Sequence, residues 1–175
     1  MLKPGDIFLT ANPMWMGRII NFVQKFTSKD SQSVYSHAGI ILNSQGRTFE
    51  ALWTNKNQDL FKAYCGKKIL IGRHAGMTQN KFVKGWQGIK HHKGKFYAGH
   101  RLLFFLFCPP LAKYFSLGLG VCSELTMKFL YRAGLAEAWK GWNPDDIDDM
   151  IHHYREYEII YEGTCPKCES GLNCG

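Results

Sequence analysis

Between Asp59 and Glu124 the chain holds no acidic residue, although eleven Lys and Arg, Lys62 to Lys113, fall in that span. The acids gather at 145–149 and 156–162, and the formal net charge is +8. A flank this one-sided cannot neutralise itself. It favours an anionic partner such as a phospholipid headgroup, a wall polymer or nucleic acid; a solvated lysine-rich face is the plainer account. Long apolar runs are missing too. The strongest, 102–108, is interrupted by Pro109, Pro110 and Lys113, so nothing approaches the ~20 residues of a membrane span. Pro4, Gly5 and Asp6 occupy the place where a secretory signal has its apolar region, so a cytoplasmic or virion-associated protein is expected. With no export signal expected, the six cysteines read as free thiols rather than a disulfide framework. No G-x-G-x-x-G or Walker pattern occurs, so Gly46, Gly118 and Gly120 make no phosphate cradle. No internal repeat and no long linker divide the chain.

What is present suffices for one domain with a core: 175 residues, 45% hydrophobic and 14% aromatic, a composition that excludes a disordered chain. Alternation at 6–10 predicts a first strand. Apolar residues at 16, 19, 20, 23 and 26 have helical spacing, and the polar 27–33 reads as a loop. Further strands are expected at 68–74, around Ile69, Leu70 and Ile71, and at 157–162. The stripe Phe82, Val83, Trp86 and Ile89 predicts an amphipathic helix over 78–90 with lysines outside. The run 101–107 is a buried helix or strand, which periodicity does not decide. A helix over 122–133 should turn Leu125, Phe129 and Leu130 inward and stop at Gly134. Asn143-Pro144-Asp145-Asp146 is a helix start: an N-cap, proline at the first position, and acids at the positive end of the dipole.

Three side chains carry most of the chemistry. His37 opens the apolar run 36–42, Glu50 sits within 48–53, and Cys122 follows the Gly-rich 117–120 where a helix begins. Thiol, imidazole and carboxylate are the parts of an activated cysteine nucleophile, and a helix N-terminus favours a thiolate. Asn43-Ser44-Gln45-Gly46 is a turn signal between the first two runs. A two- or four-residue loop there puts 39 opposite 50 and 37 opposite 52, so His37 and Glu50 share a face as diagonal neighbours roughly 7–8 Å apart at the backbone. A three-residue loop would put them on opposite faces. In the first case Ala38, Ile40, Leu42, Phe49, Ala51 and Trp53 form the other face, a core face. Glu50, flanked by apolar residues, needs a partner if buried. Taken singly, Cys122 is an ordinary buried cysteine and His37 a satisfied strand histidine.

Val-Cys-Ser-Glu-Leu (121–125) resembles the nucleophile motif of the papain-like NlpC-type amidases, and Tyr-Ser-His-Ala-Gly-Ile (35–40) resembles their histidine strand. The order here is His37, Glu50, Cys122, similar to the circularly permuted YiiX/YaeF-like branch and, more remotely, to lecithin retinol acyltransferase. Pro-Gly-Asp-Ile-Phe-Leu (4–9) and Asn-Pro-Asp-Asp-Ile (143–147) also look like that branch, whereas Tyr97-Ala98-Gly99-His100 stands where an aromatic–acid pair is expected. The resemblance covers about 4–160 in outline. It implies an α+β fold, a permuted papain-like NlpC-type domain over 1–162 whose antiparallel sheet packs against the nucleophile helix, followed by a Cys-containing tail, 163–175. It implies Cys122, His37 and Glu50 as catalytic residues, and Tyr35 and Ser123 as substrate contacts. It also implies cysteine amidase activity on peptidoglycan stem peptides without a cofactor. Lipid or acyl substrates follow from the acyltransferase side. A non-catalytic virion or scaffold protein is the alternative of another class. The expected partner is thus a wall peptide or another anionic acyl or amide substrate, with an anionic membrane surface or a phage particle also compatible.

Cys165-Pro-Lys-Cys168 and Cys174 resemble part of a zinc knuckle, but offer three thiolates where structural zinc takes four, with Cys65 or a histidine to supply the fourth. The expectation is a flexible tail with no metal. His91-His92 and His152-His153 read as surface pairs with no carboxylate at helical spacing. Trp86 among Lys81, Lys84 and Lys90 could stack a base, but its stripe with Phe82 and Ile89 makes it core, so no specific nucleic-acid partner is expected.

Overall fold

A computed structural model describes residues 1–11, 34–51, 55–94 and 121–166 of the chain. Six strands form one antiparallel sheet: β1 (Ile7–Thr10), β2 (His37–Ile41), β3 (Arg47–Ala51), β4 (Asn55–Asp59), β5 (Lys68–His74) and β6 (Tyr157–Thr164). Their spatial order is β4-β3-β2-β1-β5-β6. A short helix α1 (Leu60–Ala63) follows β4. Helices α2 (Gln79–Ile89), α3 (Val121–Ala133) and α4 (Pro144–His153) lie between β5 and β6 in sequence. The fold class is α+β, as expected. No helix among the described residues is long and apolar enough to cross a membrane.

Strand alternation divides the interior into two cores. Ile7, Leu9, Ala38, Ile40, Phe49, Ala51 and Leu70 pack with Ile89, Leu125, Phe129, Leu130, Ile147 and Ile151 from the helices. The side chains between them, Phe8, Ile41, Ile69 and Ile71, pack on the other face with Leu60, Tyr64 and Cys165. Each fully buried Leu, Ile or Phe contributes about 1.5–3 kcal/mol, so these two cores hold the sheet. Gly39 makes the second core possible near the site: a Cβ there would stand 2.5 Å from the Phe8 ring.

The helix ends follow the sequence signals. Asn143 and Asp146 form a reciprocal capping box, with bonds of 3.0 and 2.8 Å, and Pro144 opens α4. Gly134, at φ +72°, takes the left-handed position that ends α3. Thr78 caps α2 by accepting the Lys81 N–H.

Several expectations change. Val83 is 40% exposed, because α2 packs through Gly85 and Ile89 with Phe82 and Trp86 half-buried beside them. β4 and α1 were not expected. The last strand runs past its expected end at 162: β6 continues through Thr164, and Cys165 is buried, donating its N–H to the Lys67 carbonyl at 2.8 Å. The expected helix at 16–26, the loop at 27–33, the element at 101–107, the Gly-rich 117–120, Tyr97 to His100, and Trp53, Cys108, Cys168 and Cys174 lie outside the described residues.

Candidate active site

β2 and β3 pair at Ile40–Phe49 and Ile41–Thr48, the register that places 39 opposite 50. The Leu42 N–H donates to the Arg47 carbonyl at 2.7 Å, closing a four-residue loop in which Asn43 Oδ1 accepts the N–H groups of Gln45 and Arg47. His37 and Glu50 therefore share the face of the second core. His37 Nε2 lies 2.8 Å from Glu50 Oε2, and the two side chains are 2% and 0% exposed.

A carboxylate out of water needs partners for both oxygens. The Thr48 hydroxyl donates to Glu50 Oε1 at 2.5 Å. The Tyr64 hydroxyl donates to Oε2, the oxygen that also faces His37. Burial pushes the Glu50 carboxyl up. The hydrogen bond and charge of His37, then the hydroxyls of Thr48 and Tyr64, outweigh it and hold the group below the usual carboxylate value. Thr48 and Tyr64 were not foreseen. Thr48 had a signal, since it lies two residues before Glu50 on the same strand face. Tyr64 had none, because only the fold brings it there.

Cys122 sits in the first turn of α3 and is 6% exposed. The His37 ring and the N–H groups of Ala38 and Ser123 lie near enough to the sulfur to favour its charged form. Ala38 lies beyond the paired positions of β2 and β3, which frees its amide for this role. With Nε2 committed to Glu50, Nδ1 is the ring nitrogen left for the sulfur. Burial opposes a thiolate at Cys122, but the charge and hydrogen bond of His37, helped by the two amides, bring the thiol below its ordinary value. Burial likewise opposes an imidazolium, yet Cys122 first and Glu50 second push His37 up to about 10. Each of these shifts favours the charged form: thiolate at Cys122, imidazolium at His37 and carboxylate at Glu50.

The other expected contacts lie differently. Ser123 is fully buried and its hydroxyl donates to the Trp142 carbonyl at 2.6 Å, so its backbone rather than its side chain faces the sulfur. Tyr35 is buried in the first core, with its hydroxyl 3.5 Å from Glu162 Oε1. Burial, then the neighbouring Glu162 and Asp148, raise its pKa. The pair His152-His153 corrects the sequence reading. Asp148, one turn earlier on α4, supplies the carboxylate at helical spacing, 3.0 Å from His152 Nδ1, and Glu162 of β6 lies 3.4 Å from Nε2. The expected basic flank appears on α2 as Lys81 and Lys84 and just beyond it as Lys90 and Lys93, all exposed or half-exposed. Among the described residues no three His, Cys, Asp or Glu side chains converge as metal ligands. Cys165 turns into the second core and Cys65 is exposed.

No protein-family model matches the chain, and no curated protein matches it. Among solved structures, the metalloprotein YiiX from Escherichia coli O157:H7 is similar, with a TM-score of 0.58 at 16% identity. The match covers 92% of this chain and 97% of that one, so the likeness is one of whole folds.

Proposed function

We propose that this chain is a thiol hydrolase of the permuted NlpC-type, papain-like kind, which cleaves an amide bond with Cys122 as nucleophile. One observation carries the reading: a single buried imidazole is bonded to the Glu50 carboxylate at 2.8 Å and is close enough to the Cys122 thiol for each to shift the other toward its charged form. In this mechanism the Cys122 thiolate attacks the carbonyl carbon. His37 gives its proton to the leaving amine as the C–N bond breaks, and the acyl group remains on sulfur as a thioester. Water, losing a proton to His37, then releases the acid. Glu50 holds the ring in one orientation and favours its charged form throughout. Backbone N–H groups around Cys122 bind the oxyanion.

Peptidoglycan stem peptides are the substrate class the motifs point to, and their carboxylates suit the basic flank. The deciding experiment incubates the protein and its Cys122→Ala variant with wall fragments and measures new amine termini by mass spectrometry. Release by the parent alone supports the amidase. Transfer of an acyl chain from lipid to Cys122, with wall peptides untouched, would move the reading to a thiol acyltransferase. No turnover and no selective labelling of Cys122 by an electrophile would leave a scaffold that keeps the fold.

A further inference from the structure

The Glu50 carboxylate is held by more than the imidazole it serves. Tyr64, at the end of α1 and 3% exposed, reaches across the second core to donate its hydroxyl to Glu50 Oε2. Its ring stands 6.0 Å from the His37 ring, centroid to centroid, and 5.7 Å from that of Phe8, which itself lies 6.2 Å from His37. The imidazole and the two aromatic rings thus form a three-ring cluster, in which Tyr64 carries the proton donor for the carboxylate. Thr48 fixes the second carboxylate oxygen. Burial first, and the Glu50 charge second, raise the Tyr64 pKa, so this hydroxyl stays a neutral donor whenever the site is ionised.

We propose that Tyr64 is a positioning residue of the site, acting through Glu50 to let Cys122 exist as a thiolate in a water-poor interior. This rests on the reading of Cys122 as an activated nucleophile. With thiolate, imidazolium and carboxylate all charged, the cluster carries one net negative charge. With the thiol protonated it carries none. A buried O–H dipole aimed into the cluster favours the more negative state, and therefore the thiolate. Thr48 acts in the same sense from the other oxygen. Neither residue touches the reacting atoms.

The test is the pH dependence of Cys122 alkylation by iodoacetamide, read peptide by peptide by mass spectrometry, in the parent, Tyr64→Phe, Thr48→Val and Thr48→Ser. Tyr64→Phe keeps the ring and removes only the donor. The parent should label Cys122 selectively down to mildly acid pH. Tyr64→Phe should move the acid limb up by about one pH unit, a ~tenfold slower reaction on that limb. Thr48→Val should move it the same way, and Thr48→Ser should leave it in place. A parent without selective labelling would overturn the nucleophile reading itself. A selective parent whose limb is unmoved in a folded Tyr64→Phe would instead leave that reading intact and reduce Tyr64 to a core residue. Should Tyr64→Phe not fold, the contrast between Thr48→Val and Thr48→Ser decides: identical limbs in those two overturn the proposal.

Discussion

Two buried carboxylates stand at opposite ends of β1, and they are solved differently. Asp6, just before the strand and 1% exposed, is gripped by the fork of Arg73: Nε lies 2.7 Å from Oδ1 and Nη2 2.8 Å from Oδ2, while the Lys3 N–H donates to Oδ2 at 2.8 Å. Hydrogen bonding to Asp6 raises the guanidinium further above its already high value, so it never gives up its proton in the working range. At the other end Thr10 pairs with His37, and Glu50 is held by an imidazole and two hydroxyls. Every partner of Glu50 can shift a proton or a dipole; the side-chain partner of Asp6 cannot. The first arrangement fixes the chain where β1 begins, and the second surrounds its carboxylate with groups that can exchange or redirect a proton.

Substituting the site should have the largest effect. Cys122→Ala should abolish turnover on a cleaved substrate, and His37→Ala should slow Cys122 alkylation at neutral pH by about tenfold or more, since the thiol loses the charge that depresses it. Labelling of Cys122 at the same rate in both parent and His37→Ala would erase the difference between the two ends. Asp6→Asn should cost about 3 kcal/mol in urea unfolding, because it leaves a guanidinium poorly paired, without altering Cys122 labelling in the folded protein. Glu50→Gln should reduce both stability and labelling. A labelling defect in Asp6→Asn as large as in Glu50→Gln would merge the two carboxylates into one structural class.

Smaller effects come from pH. Glu50 is held below its usual value, so its contribution to stability is complete above the carboxylate range and is lost as pH falls through the folded value. His37 is the reverse: raised from 6.5 to about 10, its contribution is complete below the lower figure and gone once pH passes the higher. In thermal melting the joint contribution of these two groups should therefore be greatest between mildly acid and neutral pH, while Cys122, held below its ordinary value, contributes more as pH rises. Glu50→Gln should flatten the acid side and His37→Ala the alkaline side; parallel curves for parent and variants would remove both groups from the balance. The smallest effect should be charge reversal of Lys90 and Lys93 to Glu. It should weaken binding of acidic wall fragments at low salt and do little at high salt, while Cys122 labelling stays unchanged.

Much of this was legible before any coordinates. The turn signal at 43–46 allowed a two- or four-residue loop, either of which brings His37 and Glu50 to one face, and left only a three-residue loop against it, because side-chain direction in a strand has a period of two; the structure has the four-residue loop. Cap and stop residues placed α3 and α4 for equally local reasons. What stayed hidden was non-local or unpatterned. Tyr64 reaches Glu50 only through the path of β4 and α1, and β4 itself, Asn-Lys-Asn-Gln-Asp, shows none of the apolar alternation that marks a half-buried strand. Val83 shared a helical stripe with true core residues, but Gly85 and Gly88, set against Phe129 and Arg132 of α3, drew the contact line of α2 past it. His152 was misjudged by looking past Asp148, a carboxylate one turn back.

That polar strand has a consequence for how copies of the protein meet. β4 and β6 are the outermost described strands of the sheet. An outer strand offers unpaired backbone groups to any passing chain, and an apolar one invites a second molecule to continue the sheet. Here the β4 rim carries Lys56 and Asp59, whereas β6 carries Glu158 and Glu162 beside exposed Ile159 and Tyr161. Adding a strand at the β4 rim would place a neighbour's side chains beside these charges and amides, with no apolar surface to bury. The same five residues that give β4 no apolar alternation let it cover Glu50's strand on one side while presenting a polar, charged outer strand.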